Sequence, residues 1–316
     1  MSSLAEKLAS QLPPVRGKYT ENAPVGEIGW FKCGGKADVL FKPADREDLA
    51  AFLAHCPSEI PVSIFGALSN TIVRDGGIRG VVVRLGREFG EIEAVDGHYV
   101  HAGALALDAN VAMVAARAGI AGLEFYSGIP GTVGGALRMN AGCYGTETKD
   151  VLVWAEALDR AGQVHRLSPA EMGMTYRHTT TPSDYIFTQA LFEGQPGDAQ
   201  IIESNINEIR TRRATTQPIK EKTGGSTFAN PDAADVAKAG LPEGTKVWQL
   251  IDQAGCRGLR VGGAQMSEMH CNFMINTGTA TGADLENLGE EVRKRVHETF
   301  GIMLRWEVKR IGDFLQ

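Results

Sequence analysis

The chain is poor in what would mark a secreted, metal-binding or membrane-spanning protein. Its 316 residues include five cysteines, Cys33, Cys56, Cys143, Cys256 and Cys271. Their number is odd and none stand in a C-x-x-C pair. That disfavours a disulfide framework or a zinc site and fits a reducing cytosol. The seven histidines are scattered with no metal-ligand spacing, so no metal is expected. No run approaches the roughly 18 apolar residues of a membrane span. The opening Met1-Ser-Ser-Leu-Ala-Glu-Lys has no apolar signal core, so a cytoplasmic protein is expected. Positive charge is also short. Lys and Arg total 32 against 38 Asp and Glu, a net charge of −6, which disfavours a nucleic-acid or anionic-membrane surface. No internal repeat or low-complexity tract occurs, and a monomer is the expectation.

Glycine, by contrast, is abundant, with 38 residues, well above the usual share of about 7%. It is densest in Gly128-Ile-Pro-Gly-Thr-Val-Gly-Gly-Ala-Leu-Arg-Met-Asn-Ala-Gly-Cys-Tyr-Gly145, where the only charge is Arg138. A core helix would not carry so many glycines, because each costs ~1 kcal/mol against Ala. A flexible linker would lack Ile129, Val133, Leu137 and Met139. The remaining reading is ordered backbone that presents N–H groups to a ligand, and successive N–H groups suit phosphate. A diphosphate-bearing cofactor, and hence an enzyme, is the first expectation. One local basic patch is available to anionic ligands: Arg210, Arg212, Arg213, Lys220 and Lys222, diluted by Glu208 and Glu221. From the charges alone it reads as a solvated helix face running into a loop.

Length and patterning give two or three domains of α+β character. Val39–Phe41, Val62–Phe65 and Gly80–Leu85 read as strands around a helix that starts at Asp45 and ends at Pro57. Strands follow near Ala94 and at His98–Ala102, then a helix with Leu107, Val111, Val114, Ala115 and Ala118 on one stripe. Alternation marks Val151–Leu158, Gln163–Leu167 and Tyr185–Phe192 as strands. Helices are predicted from about Ile201, around Val247–Ala254, and through Leu285, Leu288, Val292 and Val296 to a stop at Gly301. Ile302–Val308 reads as a final strand. The boundaries expected are 1–94, 95–205 and 206–316.

Four sets of residues resemble one family, the UDP-N-acetylenolpyruvoylglucosamine reductases, over about Trp30–Gly312. They are Trp30-Phe-Lys-Cys-Gly-Gly-Lys-Ala-Asp38; Gly66 to Asp75 with Ser69-Asn70; the Gly128–Gly145 stretch; and a late set. The late set holds Gly224-Gly-Ser-Thr-Phe228, Gly262-Gly-Ala-Gln-Met-Ser267 with His270-Cys-Asn-Phe273, and Leu304-Arg-Trp-Glu-Val308. The resemblance implies a two-part FAD-binding module of vanillyl-alcohol-oxidase type, residues 1–94 and 95–205, and a C-terminal α+β substrate-binding domain, 206–316. The absence of a strand–G-x-G-x-x-G–helix unit agrees with a non-Rossmann module.

The chemistry implied is reduction of an enolpyruvyl ether on UDP-N-acetylglucosamine, with FAD as cofactor and NADPH as co-substrate. Ser226 is then the proton donor. Alone it reads as a turn cap, and its hydroxyl is a poor acid unless Lys220, Lys222 or backbone N–H groups assist it. Arg177, by itself a surface ion-pair residue, becomes the guanidinium that holds the substrate carboxylate as charge builds. Glu307, on pattern an exposed carboxylate between Arg305 and Lys309, becomes a catalytic acid, a role that requires a raised pKa. The resemblance assigns Gly66, Ser69, Asn70, Gly128, Ile129, Gly131, Thr132, Gly134, Gly135 and Asn140 to FAD. Tyr176, Asn230, Lys220 and Lys222 are assigned to the substrate. Met139, Met266 and Met274 read as core packing, and His270 as structural.

The chain departs from the family pattern at Leu68, where a glycine is usual, and at Thr216 and Ala229, where lysine is frequent. Leu68 is expected to point away from the flavin, and Lys220 and Lys222 to compensate for the missing cations. The short interval between Arg177 and Ser226 resembles the subclass without a tyrosine-bearing lid loop. Competing expectations are an FAD oxidase of the vanillyl-alcohol-oxidase type and a non-catalytic flavin- or UDP-sugar-binding protein.

Overall fold

The computed structural model describes residues 4–315. Met1–Ser3, the start of the segment read for a signal core, and Gln316 lie outside them. The chain divides into two compact units by passing repeatedly from one to the other. The first holds the segment ending at Ala23, Ala37–Ala67 and Gly80–Arg213; the second holds Pro24–Lys36, Leu68–Arg79 and the segment from Ala214.

Within the first unit, Lys18–Ala23, Ala37–Lys42, Ile78–Arg84 and Val62–Phe65 lie in that order in one sheet. Val62–Phe65, reached from Ala37–Lys42 through the Arg46–His55 helix, runs parallel to Ile78–Arg84 beside it. Asp45 starts that helix by accepting the Asp48 N–H at 2.9 Å. Val81, Val82 and Val83 are all fully buried, as a central strand covered on both faces requires. A second, antiparallel sheet runs Val164–Leu167, Leu152–Leu158, Ile186–Glu193, Tyr99–Gly103, Ile92–Val95. The Asp108–Arg117 helix buries Val111, Ala112, Ala115 and Ala116 in the same core.

The second unit has its own core. The Gly282–Phe300 helix buries Leu285, Leu288, Val292 and Val296, spaced for one face. Thr281 and Asp284 form its capping box, and Gly301 ends it at φ 70°. Burying each such aliphatic side chain contributes roughly 1.5–3 kcal/mol. A four-stranded sheet, Lys222–Thr223, Met274–Asn276, Ala264–Met266, Arg260–Val261, packs with this helix.

The expected final strand Ile302–Val308 is corrected. The alternation is real, since Ile302, Leu304 and Val308 are buried and Met303 and Arg305 exposed. The segment makes only one isolated bridge, Trp306 to Phe228, because a loop rather than a strand lies beside it. The ladder begins at Lys309–Ile311, which pairs in parallel with Thr71–Val73.

Candidate active site

In the first unit the glycine-rich stretch folds back on itself. Glu124–Gly128 forms a tight turn of helix and Val133–Met139 a short α-helix. So a helix does form where glycine density argued against one. The amides of Val133 and Gly134 donate to the Ala106 and Ala104 carbonyls at 2.9 and 2.8 Å, and that of Ile129 to Tyr126 at 3.1 Å. These three N–H groups are satisfied inside the protein, which corrects the picture of a stretch presenting all its amides to a ligand.

Close packing explains several of the glycines. A Cβ at buried Gly128 would lie 2.8 Å from Cys143 Sγ and 3.0 Å from Tyr144 Cε2. One at Gly66 would lie 2.6 Å from Thr132 Oγ1, and one at Gly134 would lie 3.2 Å from Ala104 Cβ. Gly135 differs. It is exposed, and a Cβ there would meet nothing nearer than Thr132 Oγ1 at 3.8 Å.

Asn140 ends the short helix in the left-handed region, at φ 40°, and is fully buried. Its Nδ2 donates to Glu147 Oε2 and to the Thr175 carbonyl, both at 3.0 Å, and its Oδ1 accepts the Lys149 N–H at 3.0 Å. The flavin contact expected of Asn140 is therefore corrected: its amide ties the Gly142–Glu147 hairpin to the turn at Thr175–His178. That turn carries Tyr176 and Arg177. Arg177 also has φ > 0, at 55°, and its Nη2 donates to the Gly142 carbonyl at 3.0 Å. Its Cζ lies 5.0 Å from the centre of the half-exposed Tyr176 ring. Left-handed residues cluster in this corner, at Asn140, Tyr144 and Arg177, and their strain is held by the surrounding bonds. Burial pushes the Cys143 thiol up to about 11, although Arg213 and Arg177 act to lower it.

Sequence reading missed Asp108. It opens the Asp108–Arg117 helix, where acidic residues are common enough to draw no notice. Its N–H donates to the Gly131 carbonyl at 3.2 Å, and the residue is fully buried. Neither carboxyl oxygen has a partner among the described residues. Burial holds its pKa well above the usual carboxylate range, as it does the nearby Tyr126 phenol.

The second unit draws three distant segments together. Gly225 N–H donates to the Ser69 carbonyl at 3.0 Å, Lys309 N–H to the Asn70 carbonyl at 2.9 Å, and Asn70 Nδ2 to the Glu307 carbonyl at 3.1 Å. Glu307 N–H donates to the Thr227 carbonyl at 2.9 Å. Ser226 and Glu307 thus sit on neighbouring backbone segments, both partly buried. Asn70 Oδ1 and Thr227 Oγ1 are buried without a partner among the described residues. Of the three expected catalytic residues, Ser226 and Glu307 lie on these neighbouring backbone segments, while Arg177 belongs to the first unit. Lys220 and Lys222 are exposed. Asn230 Oδ1 accepts the Val247 N–H at 3.2 Å and so helps start the Val247–Gln253 helix. Leu68 is buried beside Gly29 at φ 51°, a conformation glycine adopts without strain.

Residues 217–311 match the family model described as UDP-N-acetylenolpyruvoylglucosamine reductase, C-terminal domain, and residues 37–168 that of an FAD binding domain. Proteins named UDP-N-acetylenolpyruvoylglucosamine reductase from Parvibaculum lavamentivorans and Azorhizobium caulinodans are 58% and 57% identical to this chain. The alignments span 96% and 98% of it and 94% and 96% of theirs. The chain belongs to the UDP-N-acetylenolpyruvoylglucosamine reductase family. It is accordingly an oxidoreductase with FAD as its cofactor. The solved UDP-N-acetylenolpyruvylglucosamine reductase of Thermus caldophilus, 31% identical, superposes with a TM-score of 0.78 over 95% of this chain and 100% of that one. The expected α+β fold, an FAD-binding module followed by a C-terminal domain, therefore holds. The residues present suit the cofactor. The buried, unfilled acceptor at Asn70 Oδ1 is a feature that a hydrogen-bonding ligand completes. Among the described residues no helix is long and apolar enough to cross a membrane.

Proposed function

We propose that this reductase converts the enolpyruvyl ether of UDP-N-acetylglucosamine to UDP-N-acetylmuramate, with NADPH as co-substrate, in cytoplasmic peptidoglycan precursor synthesis. The observation that carries the reading is the juxtaposition of Ser226 and Glu307. Two residues far apart in sequence, a hydroxyl and a carboxyl, are held on adjacent segments by the Glu307 N–H to Thr227 carbonyl bond. FAD, reduced by NADPH, supplies hydride for the vinyl methylene carbon. Negative charge then develops at the carbon bearing the carboxylate, and the protein must stabilise it and protonate it.

Ser226 delivers that proton from its hydroxyl. The Arg177 guanidinium holds the substrate carboxylate, and its own bond to the Gly142 carbonyl fixes the direction of the fork. Glu307 hydrogen-bonds the developing enolate. Gly66, Ser69, Asn70, Gly128, Ile129, Gly131, Thr132, Gly134 and Gly135 would hold FAD, with Asn70 Oδ1 and the open face of Gly135 as direct contacts. Tyr176, Lys220, Lys222 and Asn230 would bind the substrate's diphosphate and sugar. A functional division at 1–94, 95–205 and 206–316 is part of the same reading: two of the three main sheets each fall within one range, and the middle one starts slightly earlier, at Ile92. The protein would act as a monomer.

Ser226→Ala tests the reading in two half-reactions. Flavin reduction by NADPH should survive, while reoxidation by the enolpyruvyl substrate should fall by roughly 10²–10⁴. Equal loss of both would reject the proton-donor role. Fast reoxidation by oxygen, with NADPH dispensable, would favour an oxidase instead.

A further inference from the structure

Gly289 stands in the interior of the Gly282–Phe300 helix, where a glycine costs ~1 kcal/mol relative to alanine. The helix is otherwise well formed, so the glycine needs a reason. A Cβ at Gly289 would overlap Cη2 and Cζ2 of Trp306 and lie 3.0 Å from Cζ3. The indole therefore rests directly on the helix backbone. Its Nε1–H donates to Glu290 Oε1 at 2.9 Å. Phe228 meets it with ring centroids 5.0 Å apart, and Arg310 Cζ lies 4.5 Å from its centre. Arg310 in turn pairs with Glu290 at 3.3 Å. One turn along the helix, Arg293 Nε donates to the Leu304 carbonyl at 2.9 Å. The helix thus grips the 304–306 segment by a backbone bond, an indole slot and an ion-paired frame.

Trp306 immediately precedes Glu307, and both residues are partly buried. The Phe228–Trp306 bridge aligns the loop that carries Ser226 with this same segment. The ring that fills the slot at Gly289 therefore sets both the register of Glu307 against Thr227 and the placement of the loop after Ser226. Without it, Glu307 would keep its backbone bonds to Thr227 and Asn70 but lose the fixed neighbour that determines their alignment.

We propose that Trp306, seated in the slot left by Gly289, is a positioning residue for Glu307 and Ser226. This rests on the catalytic roles proposed for those two residues. The helix stores the geometry: a small residue at 289, an acceptor at 290 and a cation at 310 orient one indole, and that indole orients the acid beside it.

The test uses the FAD-loaded enzyme and four variants: Trp306→Phe, Gly289→Ala, Glu307→Gln and the Trp306→Phe/Glu307→Gln double. FAD content and thermal unfolding are recorded for each. Trp306→Phe removes the indole N–H and part of the ring. It covers the case in which Gly289→Ala fails to fold. Both single changes should leave flavin reduction by NADPH at the parent rate. Reoxidation by the enolpyruvyl substrate should slow about 10- to 100-fold, with kcat falling and KM held within about twofold. In the Glu307→Gln background, Trp306→Phe should slow reoxidation by less than it does alone, because one of the two residues it positions has already lost its role. Independent, multiplicative losses in the double variant, or equal slowing of both half-reactions, would overturn the positioning role. So would normal reoxidation in Trp306→Phe alongside a slow Glu307→Gln. Full reoxidation by Glu307→Gln would instead sink the catalytic assignment of Glu307 on which the inference stands.

Discussion

Glycines are held under close contact in both units, but against different neighbours. In the first, Gly66, Gly128 and Gly134 are small because protein atoms press against them: Thr132, Cys143 with Tyr144, and Ala104. The amides of that stretch largely serve internal carbonyls. In the second, Gly289 makes room for one large ring beside a candidate acid; Asn70 and Thr227 there, like Asp108 in the first, are left with buried, unfilled polar atoms. Glycine density thus marks close approach of the chain to itself as often as approach to a ligand. Glycines of the second sort are recognised only by asking what an added Cβ would strike. Polar atoms left without partners point more directly to where something else must bind.

The comparison can be broken hardest at Asn140. Asn140→Ala strips two donors and an acceptor from a buried hub and should lower stability by about 3 kcal/mol, near 1 kcal/mol per bond lost, measured by urea unfolding. It should also loosen the Thr175–His178 turn and slow substrate reoxidation. Unchanged stability would mean the hub is dispensable. Next come the paired glycines. Gly128→Ala should destabilise by roughly 1–3 kcal/mol, because Cys143 Sγ and the Tyr144 ring must move. Gly135→Ala should leave stability equal or up to ~1 kcal/mol higher, as alanine favours helix, yet weaken FAD affinity in a flavin-fluorescence titration. The reverse order would erase the distinction between packed and ligand-facing glycines.

Asp108 supplies a pH-dependent test. Burial raises its folded-state pKa above the unfolded value, with the Tyr126 phenol and the Cys143 thiol as the titratable groups near it. The folded state therefore holds a proton that the unfolded state releases. Asp108 contributes no penalty below the unfolded carboxylate range, and stability declines as pH rises from there towards the folded value. Asp108→Asn should leave Tm nearly unchanged at pH 4 and raise it progressively towards pH 8. An equal gain at both would rule out burial of the carboxyl as the cause. The smallest effect is expected at Leu68→Gly. Relief of the left-handed φ, ~1 kcal/mol, opposes the lost burial, so the net change should stay within about 1–2 kcal/mol, read as ΔTm.

Much of this was legible beforehand. Asp45 and Gly301 mark helix ends because their caps are local chemistry, and the stripe Leu285–Val296 marks a helix because its spacing is. The family motifs located Ser226, Arg177 and Glu307 by residue type and order. The misreadings share one cause. Ile302–Val308 alternates like a strand, but a strand needs a partner, and Phe228 bridges it only once. Asn140 stands in a motif beside flavin-type glycines, yet its amide faces Glu147, Lys149 and Thr175. Asp108 looked like an ordinary helix start because nothing nearby in sequence reports burial.

Sequence alone determined the longer helices, most strands, the family and the residue types able to move a proton, since caps, periodicity and motif order act over a few residues. Tertiary structure alone decided that the segment after Ser226 meets that of Glu307, that Gly289 seats Trp306, and which amides and carboxyls go unpaired. Those facts depend on which segments meet, and meeting is governed by burial of two separate apolar cores rather than by any neighbour along the chain.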